Sequence, residues 1–281
     1  MPYDRLTTLF SDLLNITVSE GTIATILNRT ADRGTMLYQE IQAIVNKTSY
    51  RGSDETGVRV MGKTRWEWVW QNPKASYYSI DPSRGYNVVE KEMPEEYQGV
   101  HVADCWCAQN NTKATYHQLC HEHLKRDLKY LIETVRSSWA YHMYGFLCTS
   151  KKARDALWQL PERLRGRGII WYHQRLNHLL SFFVTTKEEK TLLKRFIKHK
   201  DKILTFMNYP DVPPDNNSSE RAIRQSKVKM KVSGGFRSIQ GTKTYAILLS
   251  IIETCKKQHL NILQALQNVI RGIDISYQFT T

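Results

Sequence analysis

The sequence predicts a mixed α/β protein in which one block of strands lies between two helical stretches. Three observations carry this. Apolar residues recur every three or four positions over the first fifty residues, alternate at every second position through Val58, Val60, Trp66, Trp68 and Trp70, and return to helical spacing from about Tyr116. A hydrophobic content of 41% over 281 residues is enough to bury a core, so disorder, collagen and coiled-coil arrays are excluded.

The elements follow in order. Leu6, Leu9, Phe10, Leu13 and Leu14 have the spacing of one buried helix face. Asn15 to Ser19 interrupts it, and Ser19 is placed to cap a second helix carrying Ile23, Ile26 and Leu27. Met36, Ile41, Ile44 and Val45 mark a third. Two helices joined by a short turn are compatible with a DNA-binding unit, but the second (EGTIATILNRT) is poor in base-reading side chains, so helical packing is the better reading. Past Gly52, the Val58–Val60 and Trp66–Trp70 alternations flank a turn at Gly62-Lys63, and Tyr77 to Ile80 adds a strand before Asp81-Pro82 and Gly85. This reads as an antiparallel meander. A further strand, Gly99 to Ala103, runs into Asp104. Residues 116 to 202 read as helical, 208 to 217 as a proline-rich loop, and a helix begins near Ser218 and precedes the break at Gly234-Gly235. One or two more helices run from about Thr242 to Arg271.

Charge narrows the partner. Forty Lys and Arg against 27 Asp and Glu give a net +13 and a pI near 9.5, as suits a polyanion. No stretch of roughly 18 apolar residues exists to span a membrane, and MPYDRLTTLF lacks the basic-then-apolar pattern of a signal peptide. Five cysteines without framework spacing fit reduced thiols in a cytoplasm. DNA or RNA is therefore the leading partner, and no membrane is expected.

Three carboxylates stand out by position. Asp54 opens a hydrophobic strand (SDETG), Asp104 closes another (VHVADCW), and Glu220 lies in the first turn of a helix (NNSSERAIR). Two carboxylates from adjacent strand ends and one from a packing helix are able to hold two divalent cations about 3.5–4 Å apart for phosphoryl chemistry, and hard oxygen ligands suit Mg²⁺. Each has a plainer reading. Asp54 fits the end of a loop with Glu55 as the functional acid instead, and because the two point to opposite faces of a strand at most one of them serves the site. Asp104 fits an ordinary turn, and Glu220 fits a capping box or an ion pair with Arg224.

DETG with the stretch Val60 to Lys63, VADCW, LCHEHLKRDL, VPPDNNSSERAIR and KVKMKVSGGFRS together resemble the insertion-sequence-66 transposase family of bacterial mobile elements, in order from about Pro2 to Ile270. The resemblance implies an RNase H-like mixed sheet flanked by helices and an Asp-Asp-Glu triad of Asp54, Asp104 and Glu220, acting as catalytic and metal-binding residues with Mg²⁺, for which Mn²⁺ can substitute. It divides the chain into a helical N-terminal segment, 1–50, and a catalytic domain, 51–281, with a helical insertion at about 116–205 before the last catalytic helix. It implies cleavage and strand transfer of DNA, with element ends and target DNA as partners, a homo-oligomer on DNA, accessory proteins, and a place in the bacterial cytoplasm at the nucleoid. Family members are typically longer, with an N-terminal helix-turn-helix and a cysteine-rich metal site. This sequence has no CxxC pair, and no structural zinc finger is expected. The rival readings are a truncated remnant that only binds DNA and an RNase H-like nuclease that cuts without joining.

Further signals surround the triad. Arg221, Arg224, Lys227, Lys229, Lys231 and Arg237 follow Glu220 and are candidates to grip DNA phosphates. Cys120 and His123, near His117 and His121, form a C-x-x-H pair without a second pair to complete a tetrahedral site. Packing that shapes the site is preferred there to metal binding. Trp106 is a candidate for the site's rim, whereas Trp66, Trp68 and Trp70 read as core.

Overall fold

A computed structural model describes residues 1–93, 96–105 and 112–279. In chain order the elements are α1 (Tyr3–Leu14), α2 (Glu20–Arg33), α3 (Thr35–Val45), β1 (Tyr50–Val60), β2 (Lys63–Gln71), β3 (Ser76–Asp81), α4 (Tyr86–Glu92), β4 (Tyr97–Ala103) and β5 (Ala114–Leu119). There follow α5 (His121–Val135), α6 (Ser138–Leu157), α7 (Glu162–Leu180), α8 (Lys187–Lys198), α9 (Asn217–Ser233), α10 (Ile239–Lys257) and α11 (Ile262–Arg271). Residues divide into two compact units, Met1–Pro94 with Asn217–Thr281, and Glu95–Asn216. Antiparallel β1, β2 and β3 belong to the first, and parallel β4 and β5 to the second. This mixed-sheet architecture, flanked by helices, is RNase H-like.

In the first unit the meander is built as the alternation predicts, with Gly62 at φ 76° turning β1 into β2. From Glu67 to Gln71, β2 is buried on both faces. Trp68 and Trp70 stack at 5.5 Å on one face, and Trp70 meets Tyr77, which stacks on Tyr38 of α3. Trp68 and Trp70 are core, as their spacing predicts, whereas Trp66 is half-buried with the Arg84 guanidinium over its ring. On the opposite face Val69 and Tyr78 share a buried cluster with Ile223 of α9 and Ala246 and Leu249 of α10. α10 also covers the edge of β3, where the N–H groups of Ser76 and Tyr78 donate to Thr254 Oγ1 and Ser250 Oγ.

Ser19 caps α2 by accepting the Thr22 N–H at 3.0 Å. α1 departs from expectation, since none of its residues is fully buried and Leu13 is 72% exposed. Periodicity decides which face of a helix is apolar, whereas burial needs another element to cover that face.

In the second unit, β5 occupies residues read from sequence as the start of a helical stretch. The strand buries polar groups in place of an apolar alternation. Gln118 Nε2 donates to the carbonyls of Leu119 and Ile203, and its Oε1 accepts the Phe206 N–H. Helices α5 to α8 follow. No described helix is long and apolar enough to cross a membrane.

Candidate active site

The first unit carries Asp54 and Glu220, and the packing of α9 on β2 relates them. Three residues of α9 are fully buried, Ser219, Ile223 and Ser226, at the i, i+4, i+7 spacing of one helix face. Gln71 Nε2 donates to Ser218 Oγ at 2.6 Å and Ser219 Oγ at 3.2 Å, Val69 shares its cluster with Ile223, and Ser226 bonds Glu67. Helix α9 therefore runs along the face of β2 that presents Glu67, Val69 and Gln71. Gln71 is itself oriented by Lys257, whose ammonium donates to Gln71 Oε1 and to the carbonyls of Asn72 and Ala75.

Asp54 does not open its strand but lies inside β1, because pairing with β2 already begins at Gly52; it is the cross-strand partner of Val69, and Glu55 that of Trp68. Directly opposed residues share a face, so Asp54 lies on the face covered by α9 and Glu55 on the tryptophan face. Arg84 takes up Glu55, with Nη2 2.8 Å from Oε1 and its guanidinium 4.6 Å from the centroid of the Trp66 ring. Glu55 is thus a structural ion pair, while half-buried Asp54 accepts the Glu55 N–H at 2.9 Å. Glu220, in the first turn of α9 and half-buried, flanks the face that packs on β2.

The basic residues of α9 separate by helix geometry. Arg221, Arg224, Lys227 and Lys231 are exposed within one arc, and Arg237 is exposed beyond the helix. Lys229 turns towards the sheet, 3.8 Å from the Phe236 centroid and 5.1 Å from that of Tyr245, and burial lowers its pKa. At the end of α9 the chain closes on β1: Phe236 N–H donates to Arg59 O and Met61 N–H to Phe236 O. Gly235, at φ 136°, allows this, because a Cβ there would lie 2.6 Å from Arg59 O. The closure forms a cleft of about 480 Å³ whose lining includes Arg59 and Arg237. Arg59 was not singled out from sequence, since only the β1 to Phe236 pairing brings it beside the basic run.

In the second unit Asp104 directly follows β4, and half-buried Cys105 follows it. Burial pushes the Cys105 thiol up to about 11, with the carboxylates of Asp104 and Asp127 acting in the same direction and the cations Arg195 and Lys202 against it. Parallel pairing sets Ala103 beside Leu119, and Cys120 N–H donates to Ala103 O at 2.8 Å. Asp104 and the C-x-x-H pair thus leave neighbouring strands at their carboxyl ends, where open α/β sheets place ligands. Cys120 is buried and its sulfur accepts the Asn216 N–H at 3.2 Å. His121 N–H donates to Pro214 O, and Arg154 Nη1 donates to the carbonyls of Tyr209 and Val212. These bonds anchor the proline loop that enters α9 four residues before Glu220. His123 lies half-buried in the first turn of α5, His121 donates through Nε2 to Ile203 O at 2.8 Å, and His117 Nε2 lies 2.9 Å from Thr112 Oγ1. Trp106 lies outside the described residues.

The first unit thus packs a helix that carries one acid, Glu220, over the strand face that bears another, Asp54, in a protein of the mixed α/β class. Residues 1–244 match the family described as Transposase IS66 family, and the chain belongs to that family. It is also similar to a protein named uncharacterized protein y4jO from Sinorhizobium fredii (strain NBRC 101917 / NGR234), with 31% identity over 115 residues. That similarity spans 38% of this chain and 36% of the relative, so the chain matches about a third of the relative's length.

Proposed function

We propose that the protein is a DNA transposase catalytic chain of the Asp-Asp-Glu type that cleaves DNA at the ends of a mobile element and joins it to target DNA. The observation that carries this reading, beside family membership, is that α9 lies over the sheet face bearing Asp54 while carrying Glu220 in its first turn.

The donor set fits magnesium, because three carboxylates offer only hard oxygen ligands. Asp54, Asp104 and Glu220 would hold Mg²⁺ or Mn²⁺, which when bound would activate the attacking oxygen and offset charge on the phosphate. Water attacks phosphorus in line and expels the 3′-oxygen as a hydroxyl at the element end. That hydroxyl then attacks a target phosphodiester and displaces its 3′-oxygen, with no covalent bond to the protein. Arg221, Arg224, Lys227, Lys231 and Arg237 hold flanking phosphates, with Arg59 beside Arg237. The same reading has the protein act as a homo-oligomer on DNA with accessory proteins, in the bacterial cytoplasm. It treats 1–50 as a segment preceding a catalytic domain, 51–281, with an insertion at about 116–205.

The test is nicking and strand transfer on plasmid DNA carrying the native flanking ends, with Mg²⁺ or Mn²⁺ and Asp104→Ala in parallel. Metal-dependent cutting and joining, both lost in the variant, is the expected result. Cutting without joining favours a nuclease, and DNA binding unaffected by Asp104→Ala with no cutting favours a binding remnant.

A further inference from the structure

α7 has a face that its own unit does not cover. Its inner side packs through Leu176, Leu179 and Leu180, all buried, and Tyr172 against Phe146. Its outer side presents Arg163, Arg167, Ile170, Trp171, Gln174 and His178, all exposed. At 1.5 Å per residue this stripe extends for roughly 22 Å. Trp171 is 55% and Ile170 58% exposed, adjacent on this face. Glu162 is the sole acid of the helix, at its first residue. Among the described residues neither Arg163 nor Arg167 enters an ion pair.

We propose that this outer face of α7 is a docking surface for single-stranded DNA, with Arg163 and Arg167 on the phosphates and Trp171 stacked on an unpaired base. The inference rests on the reading of the protein as one that acts on DNA, and adds a contact remote in sequence from the basic run of α9. Charge selects the occupant. Protein interfaces also collect Arg and Trp, but this stripe sets two arginines without ion-pair partners beside an exposed indole and carries no acid, so its charge complements a polyanion. An aromatic face among cations is how sequence-tolerant single-strand sites are built. A duplex would satisfy the arginines but hides its base faces from Trp171.

The test compares the full chain with Trp171→Ala, Trp171→Phe and Arg163→Gln/Arg167→Gln, measuring affinity for a 20-nucleotide oligo-dT and for a duplex of equal length over a salt series. Trp171→Ala should weaken oligo-dT binding between about 5- and 150-fold, with Trp171→Phe recovering much of the loss and duplex affinity within twofold of the parent. The double arginine variant should lower the slope of log K against log salt by roughly 1.4. Thermal unfolding of each variant should match the parent, since the substituted side chains are exposed. Unchanged oligo-dT affinity in all three variants overturns the proposal while leaving the DNA reading intact. So does a Trp171→Ala variant that loses self-association in sedimentation but keeps oligo-dT affinity, which would assign the face to a second copy of the chain. Failure of the parent to bind either DNA overturns both readings.

Discussion

Ser226 of α9 donates its hydroxyl to the carboxylate of Glu67 on β2, and both side chains are fully buried. The Tyr245 hydroxyl lies 3.0 Å from the same serine oxygen. This clasp sits less than two turns beyond Glu220 and fixes the helix along the strand that pairs with Asp54. A buried carboxylate at the centre of such a contact has consequences for pH.

Burial pushes Glu67 up to about 7 from an ordinary 4.5, against the Ser226 hydrogen bond and the Lys229 charge. The Tyr78 and Tyr245 hydroxyls feel the Glu67 charge from β3 and α10. A raised folded-state value means that the protonated clasp stabilises the fold fully below about pH 4.5 and loses this as pH rises towards 7. Relative to Glu67→Gln, the parent should lose up to about 3 kcal/mol across that window. Denaturant unfolding of both proteins from pH 4.5 to 8 measures it, and parallel curves would contradict the assignment.

His121 works in the opposite sense. Burial pushes it down to about 4 although its ring donates to Ile203 O. The neutral ring stabilises the fold fully above pH 6.5, and this is lost as pH falls through 4. His121→Gln should therefore flatten the acid limb of stability against pH, by up to about 3 kcal/mol. Equal acid sensitivity in parent and variant would exclude the buried ring as its source.

The two faces of β1 predict unequal outcomes for adjacent acids. Asp54→Asn should abolish metal-dependent cleavage with little change in melting temperature. Glu55→Gln should retain cleavage but lose roughly 1–3 kcal/mol of stability as the hydrogen-bonded pair with Arg84 weakens. Cleavage lost in Glu55→Gln and kept in Asp54→Asn would reverse the assignment.

Helix geometry separates Lys229 from its basic neighbours. Arg224→Gln and Lys227→Gln should each reduce the salt slope of duplex binding by about 0.9. Lys229→Met should leave that slope unchanged and alter stability, because its ammonium lies against the Phe236 and Tyr245 rings. Filter binding across a salt series distinguishes them.

Much of the fold was legible because it is written in local periodicity. The Trp66, Trp68 and Trp70 alternation yields β2, and Ser19 caps α2 where a serine ahead of an apolar helical pattern predicts. α4 and β5 were not legible. The first is seven residues long, too short for a repeat, and the second is held by the amide bonds of Gln118 in place of an apolar stripe.

The sequence by itself determined most of the element types, the basic charge, the family and the three candidate carboxylates, since these depend on residue identity and spacing. Only the tertiary structure decided which neighbours those residues meet. Register with β2 turned Asp54 towards α9 and Glu55 towards Arg84, and helix phase turned Lys229 inward while Arg224 stayed in water. The Phe236 pairing drew Arg59 to the end of the basic run, and Cys120 became the anchor of the loop leading to Glu220. The physical reason is that a side chain's partner comes from elements distant in sequence, and the choice between two faces of a strand or helix is made when those elements bury their common surface.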